Sequence, residues 1–151
     1  MVVYRIGKSK YANDLTGEGA KLYGGRWNHE GIPCIYAAET RALSLLEYSV
    51  HVTIEAIPPS LKFTSIEIPD NLIHEIKRAD LPANWHNWPH PKESRDFGNK
   101  LLIANKQLAI RFPSAIIPEE FIYIINPVHQ QMRQVSVKKI ADISYDLRLK
   151  R

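Results

Sequence analysis

The chain predicts an α+β domain on three observations. Short apolar segments rich in β-branched residues recur between prolines in the second half. Two stretches, 41–52 and 95–106, carry helical spacing of apolar residues. A glycine- and asparagine-rich stretch over 8–31 breaks both patterns. Many short strands with two to four helices make an α+β domain rather than a bundle or a sandwich.

Taken in order, Val2-Val3-Tyr4-Arg5-Ile6 reads as an opening strand. Residues 8–31 read mainly as a long loop, and a loop of that length in a small domain is more often functional than decorative. Pro33 to Ala38 reads as a buried strand. Thr40 is suited to cap a helix over Arg41 to Val52, since its hydroxyl can accept from the first free amides. Ala42, Leu43, Leu45, Leu46 and Val50 form the apolar arc of that helix, and Glu47 falls at its edge, beside Leu43 and Val50. After Pro58-Pro59, Lys62 to Ile68 alternates as a half-buried strand, with Thr64, Ile66 and Ile68 on one face. Residues 70–79 are expected to form a short helix, and 81–92, with two tryptophans, two histidines and three prolines, an irregular loop. Ser94 is expected to cap a helix from Arg95 to about Lys106, with Phe97, Leu101, Leu102 and Ala104 inward. Leu108 to Phe112, Ala115 to Ile117 and Phe121 to Ile125 are short apolar segments bounded by prolines, and Val135 to Ile140 alternates again.

The 151 residues are expected to form one domain spanning 1–151. A chain of that size buries roughly 68–70% of its unfolded surface, so it needs no disulfide or metal staple. Cys34 is the only cysteine, which excludes an internal disulfide and suits a reducing compartment. No apolar leader and no run of roughly 18 apolar residues occurs, so a cytoplasmic location without membrane contact is expected. The 20 basic against 16 acidic side chains leave +4. Lys138, Lys139, Arg148, Lys150 and Arg151 make a basic C-terminal tail from about 138, read first as solvated surface and second as a contact for an acidic protein. No basic strand interleaved with aromatics is present, so direct nucleic-acid binding is not expected.

The most informative segment is Gly17 to Asn28, which holds four of the seven glycines followed by Arg26-Trp27-Asn28. Arg26 offers a permanent charge in a planar fork suited to phosphate or carboxylate oxygens. Other chemistries lack support. No cysteine pair accompanies the histidines, and Pro89 between His86 and His90 argues against a helical metal site, so no metal is expected. Cys34 lies in an apolar strand and reads as a small core residue. No Gly-x-Ser-x-Gly, Walker loop or dinucleotide glycine motif is present. Arg26, Tyr36, Glu47 and Ser114 remain, and each has a plain structural reading as ion pair, core aromatic, helix-surface acid or strand start.

The segment Leu15 to Asn28 resembles the signature of the RES-domain family. The resemblance continues through Ile35-Tyr36, through Ala42 to Glu47, through Phe112-Pro-Ser-Ala-Ile-Ile-Pro118 and through Asn126-Pro-Val-His129, so it spans nearly the whole chain. The family's naming residues, Arg, Glu and Ser, fall on Arg26, Glu47 and Ser114. A serine or threonine common after the strand tyrosine is replaced by Ala37-Ala38.

The resemblance implies an ADP-ribosyltransferase-like fold and a toxin of a RES–Xre toxin–antitoxin pair that degrades NAD+. NAD+ is then a substrate and not a resident cofactor, with water or inorganic phosphate as the acceptor. Arg26, Tyr36, Glu47 and Ser114 would be catalytic. Tyr23, Gly24, Gly25, Arg26, Trp27, Asn28, Tyr36 and Asn126 would surround the dinucleotide. Arg26 would grip the pyrophosphate, Tyr36 would stack on nicotinamide, Glu47 would face the developing ribose cation, and Ser114 would bond ribose or phosphate. An Xre-type antitoxin would be the protein partner and the route to DNA, and a homodimer is compatible with the sequence. Transfer of ADP-ribose to a protein, a non-enzymatic basic module, and a regulator that binds NAD+ without chemistry are the competing readings.

Overall fold

A computed structural model describes residues 1–150; Arg151, counted in the basic tail, lies outside the described residues. Seven strands form one sheet: β1 Val2–Lys8, β2 Ile35–Ala38, β3 Leu61–Glu67, β4 Ile73–Glu75, β5 Ala109–Pro113, β6 Phe121–Ile125 and β7 Ser136–Ile143. The helices are α1 Glu18–Tyr23, α2 Arg41–His51 and α3 Lys92–Ala104. The strand order is β4-β5-β6-β2-β1-β3-β7, and only β4 and β5 run parallel. The α+β expectation therefore holds.

The middle of the sheet is buried on both faces, and β6 shows why its sequence is almost wholly apolar. Ile122 and Ile124 join Trp27, Leu43, Leu102, Ile110 and Phe112 on the face covered by α2 and α3. Tyr123 and Ile125 join Val3, Ile35, Ile66, Leu108 and Val135 on the other. A strand with both faces covered loses the polar alternation of a half-exposed one. Thr40 caps α2 as expected, with its side-chain oxygen accepting from the Leu43 amide at 3.0 Å.

Several local expectations are corrected. Residues 8–31 are not only loop, because Glu18–Tyr23 is helical and Ser9–Tyr11 forms a 3-10 turn. A helix of six residues is too short to display apolar periodicity. Residues 70–79 form no α-helix; Ile73–Glu75 pairs instead with Ala109 to Arg111 as a parallel edge strand. On α2 the buried residues are Leu43, Ser44 and Ser49, while Ala42 and Val50 are exposed. Ser94 does not cap α3. It lies in the first turn and donates to the Pro91 carbonyl at 2.9 Å, and Ala104 is exposed. Ala115 to Ile117 is a turn, not a strand. Lys138 and Lys139 belong to β7, so that part of the basic stretch is an edge strand and not a free tail. Lysines on an edge discourage pairing with further strands.

Gly98 fixes how closely α3 approaches the site. A Cβ built there would lie 1.9 Å from the Trp27 carbonyl oxygen, so only glycine fits. This contact, with Phe112 stacked on Trp27 at 4.1 Å between ring centroids, locks the segment after α1 against the core.

Candidate active site

One large cavity, about 770 Å³, opens between the segment after α1, the strands β1 and β2, the helix α2 and the loop that precedes α3. That volume suits a ligand the size of a dinucleotide. Arg26, Tyr36 and Glu47 line it together, as do Tyr23, Gly24 and Gly25. The residues singled out from three separate elements therefore share one pocket.

Arg26 reaches the cavity from the tight turn in which the Gly25 amide donates to the Asn28 carbonyl at 3.0 Å. Its Nη1 donates to the carbonyls of Trp85 at 2.7 Å and Asn87 at 2.8 Å. The guanidinium therefore staples the 81–92 loop to the glycine segment. Burial lowers its pKa, and the charges of Glu47 and Tyr36 oppose that fall. An arginine starts so high that it stays cationic.

Glu47 projects from α2. Burial raises its carboxyl pKa, while the bond from Ser114 and the charge of Arg26 pull it down. Ser114 Oγ donates to Glu47 Oε1 at 2.7 Å and accepts from the amides of Ile116 and Ile117 at 3.1 and 3.2 Å. Ser114 itself is fully buried and does not line the cavity. The expected bond from Ser114 to ribose or phosphate finds no support in this geometry: Ser114 is off the cavity wall and meets it only through its bond to Glu47.

Tyr36 lines the wall with its ring, and its hydroxyl points away into a closed network. It donates to Asn28 Oδ1 at 2.6 Å and accepts from the Trp27 amide at 3.0 Å. Burial, with Cys34 beside it, raises the phenol pKa well above its ordinary value, so Tyr36 offers a neutral face and no proton. A Cβ on Gly25 would stand 2.6 Å from that hydroxyl, which makes glycine obligatory where the phenol packs.

Three expected pocket residues lie elsewhere. Trp27 is 0% exposed and belongs to the core, between Phe112, Trp85 and Phe97. Asn28 is equally buried, and its Nδ2 donates to the carbonyls of Ala20, His29 and Ile32. It shapes the turn and holds Tyr36. Asn126 is remote from the cavity, where its Nδ2 donates to Leu102 O at 3.1 Å and Asn105 Oδ1 at 2.9 Å and so closes the end of α3. Asn28 and Asn126 satisfy backbone carbonyls that the apolar interior would otherwise strand, and Trp27 packs among aromatic rings. Tyr23, by contrast, is at the mouth and 82% exposed.

Other wall residues carried no periodic signal. His51 at the end of α2 and His86, Trp88 and His90 from the loop all line the cavity. Exposed tryptophan in a proline-rich loop was the available clue. Among the described residues no group of histidine, cysteine or acidic side chains could hold a metal ion. Cys34 is buried, with its thiol pushed up to about 12 by desolvation, consistent with a core role. No helix among the described residues is long and apolar enough to cross a membrane.

Comparison with known proteins agrees with this architecture. Residues 2–148 match the family described as "RES domain". A protein of Sphingobium sp. named "Prs ADP-ribosylating toxin" is 36% identical over 141 residues, covering 91% of this chain and 88% of that one. A Yersinia enterocolitica protein named "Toxin Res" is 35% identical over 153 residues, covering 99% of this chain and all of its own length. The M. tuberculosis MbcT–MbcA toxin–antitoxin complex includes a chain that superposes with a TM-score of 0.75 at 17% identity, over 95% of this chain and 84% of that one. At that identity the likeness is one of fold.

Proposed function

The chain belongs to the RES-domain family, and from that premise we propose that it is a toxin enzyme that cleaves the nicotinamide–ribose bond of NAD+ and is neutralised by an Xre-type antitoxin. The observation that carries the reading is Arg26 and Glu47 facing one dinucleotide-sized cavity, with Ser114 holding the acid.

Nicotinamide leaves as a neutral ring because the C–N electron pair returns to a nitrogen that is already cationic. No strong general acid is needed. The barrier is the positive charge that develops on ribose. Glu47 stabilises that charge from a site where water is partly excluded, which strengthens the interaction. The Ser114 bond fixes the carboxylate so that it need not reorganise during the reaction. Nη2 and Nε of Arg26 take no partner among the described residues and are free for the pyrophosphate. The Tyr36 ring supplies a flat wall. An oxygen of water or phosphate then bonds to the ribose carbon and releases its proton to solvent.

A second reading keeps the first step and changes the acceptor to a protein side chain. The Sphingobium relative, named as an ADP-ribosylating toxin, favours it. Incubation of the purified protein with adenylate-labelled NAD+ separates the two. Nicotinamide release with label in small molecules supports NAD+ degradation, and its acceleration by phosphate identifies the acceptor. Label transferred to protein supports the second reading. No nicotinamide release under any condition removes both.

A further inference from the structure

The loop that Arg26 staples carries an aromatic surface that the cleavage step does not use. Trp88 is 69% exposed yet lines the cavity. Its ring lies 4.7 Å from that of His90 and 5.9 Å from that of His51, and the two imidazoles are 5.7 Å apart, centroid to centroid. His51 comes from α2 and the other two from the loop, so the cluster bridges two elements at one end of the pocket. His90 Nε2 is buried and has no hydrogen-bond partner. A large flat apolar face beside an unsatisfied ring nitrogen suits a planar heteroaromatic base that offers nitrogen atoms at its edge.

We propose that Trp88, His90 and His51 form the subsite for the adenine base of a dinucleotide, with Trp88 as the stacking platform. This rests on the reading of the cavity as an NAD+ site. Charge selects between the two bases. Burial first, and then the positive field of Arg26 beside the cluster, lower the pKa of both imidazoles, His90 to about 4. A positive environment rejects the cationic nicotinamide ring and tolerates neutral adenine. Placement agrees, because His51 is one helical turn from Glu47 and Trp88 stands a further ring away. The pyrophosphate would then lie by Arg26, between the adenine end and the acid.

Calorimetric titration of the intact protein with AMP, ADP-ribose and nicotinamide mononucleotide tests the assignment. Trp88→Ala is expected to weaken AMP and ADP-ribose roughly ten-fold or more, the usual scale for losing one base–aromatic stack. Trp88→Phe should retain most of the affinity, and nicotinamide mononucleotide should change by less than about two-fold. Trp88 is 69% exposed, so its truncation removes little buried surface. Unchanged AMP affinity in Trp88→Ala, an equal loss for nicotinamide mononucleotide, or no AMP binding by the unmodified protein overturns the proposal. AMP binding that depends on Trp88 without NAD+ turnover would remove the reaction and leave the subsite standing. Turnover with Trp88-independent AMP binding would do the reverse.

Discussion

Ser114 Oγ donates to Glu47 Oε1 at 2.7 Å across 67 positions of sequence. The same oxygen accepts from two amides of its own turn. The turn between β5 and β6 therefore orients an acid on α2, and the serine never faces the cavity.

Removing that hydroxyl should cost activity through the acid. In Ser114→Ala, Glu47 loses a bond that lowers its pKa, so the pKa climbs further above the ordinary carboxylate value. In the proposed reaction the ionised form is the active one, so the rate falls as pH drops through the pKa. The acid limb of the rate–pH profile should therefore move to higher pH. Turnover near neutrality should fall on the order of ten- to a hundred-fold, since a bond to a charged group is worth about 1.5–3 kcal/mol. A profile superimposable on that of the parent protein would leave Ser114 with a structural role alone.

Glu47→Gln should abolish nicotinamide release and yet raise the melting temperature at neutral pH by a few degrees. A carboxyl whose folded pKa is raised binds its proton more tightly when folded than when unfolded. Its ionisation then destabilises the fold as pH climbs through the unfolded and folded values. Glutamine removes that penalty and still accepts from Ser114. The gain should shrink towards pH 4, where the parent acid is already protonated in the fold. Melting curves at both pH values decide it, and a loss of stability at neutral pH would contradict the sign.

Arg26→Lys should loosen the loop as well as the substrate. The Nη1 bonds to Trp85 and Asn87 are a two-carbonyl clamp that an ammonium on a flexible stem reproduces poorly. Amides around 85–88 should exchange with deuterium faster, and turnover should fall by about a hundred-fold, the scale of a small misplacement in a bound geometry. Unchanged exchange would place the whole effect of Arg26 on the ligand.

Gly98→Ala tests the packing under the site. Its Cβ would meet the Trp27 carbonyl at 1.9 Å, and backbone cannot step aside as a long side chain can. Destabilisation should reach the upper end of the usual ~1–3 kcal/mol for overpacking, read as a lower urea midpoint. An unchanged midpoint would mean that α3 does not press on this turn.

The fold was legible where spacing and chemistry agreed. Thr40 and the arc after it placed α2, and the alternation from Lys62 placed β3. The short α1 and the parallel edge strand β4 were not legible, since three to six residues show no period. In the site, the family resemblance brought Arg26, Tyr36 and Glu47 to one cavity. It also drew in Trp27, Asn28 and Asn126, whose side chains turn inward to stack or to satisfy backbone groups. Sequence alone does not separate a residue that touches ligand from one that holds its neighbour. Nothing in the sequence shows that His51, Trp88 and His90 meet, because they do so through a loop held by the bonds of Arg26 to residues 59 and 61 positions away.

β6 lies between β5 and β2, although it is made after both. Translation must pass Ile125 before that gap in the sheet can be filled, and until residue 114 is laid down the acid on α2 lacks its orienting hydroxyl. A chain stopped short of β6 therefore has neither a continuous sheet nor, before residue 114, the bond that fixes the α2 carboxylate.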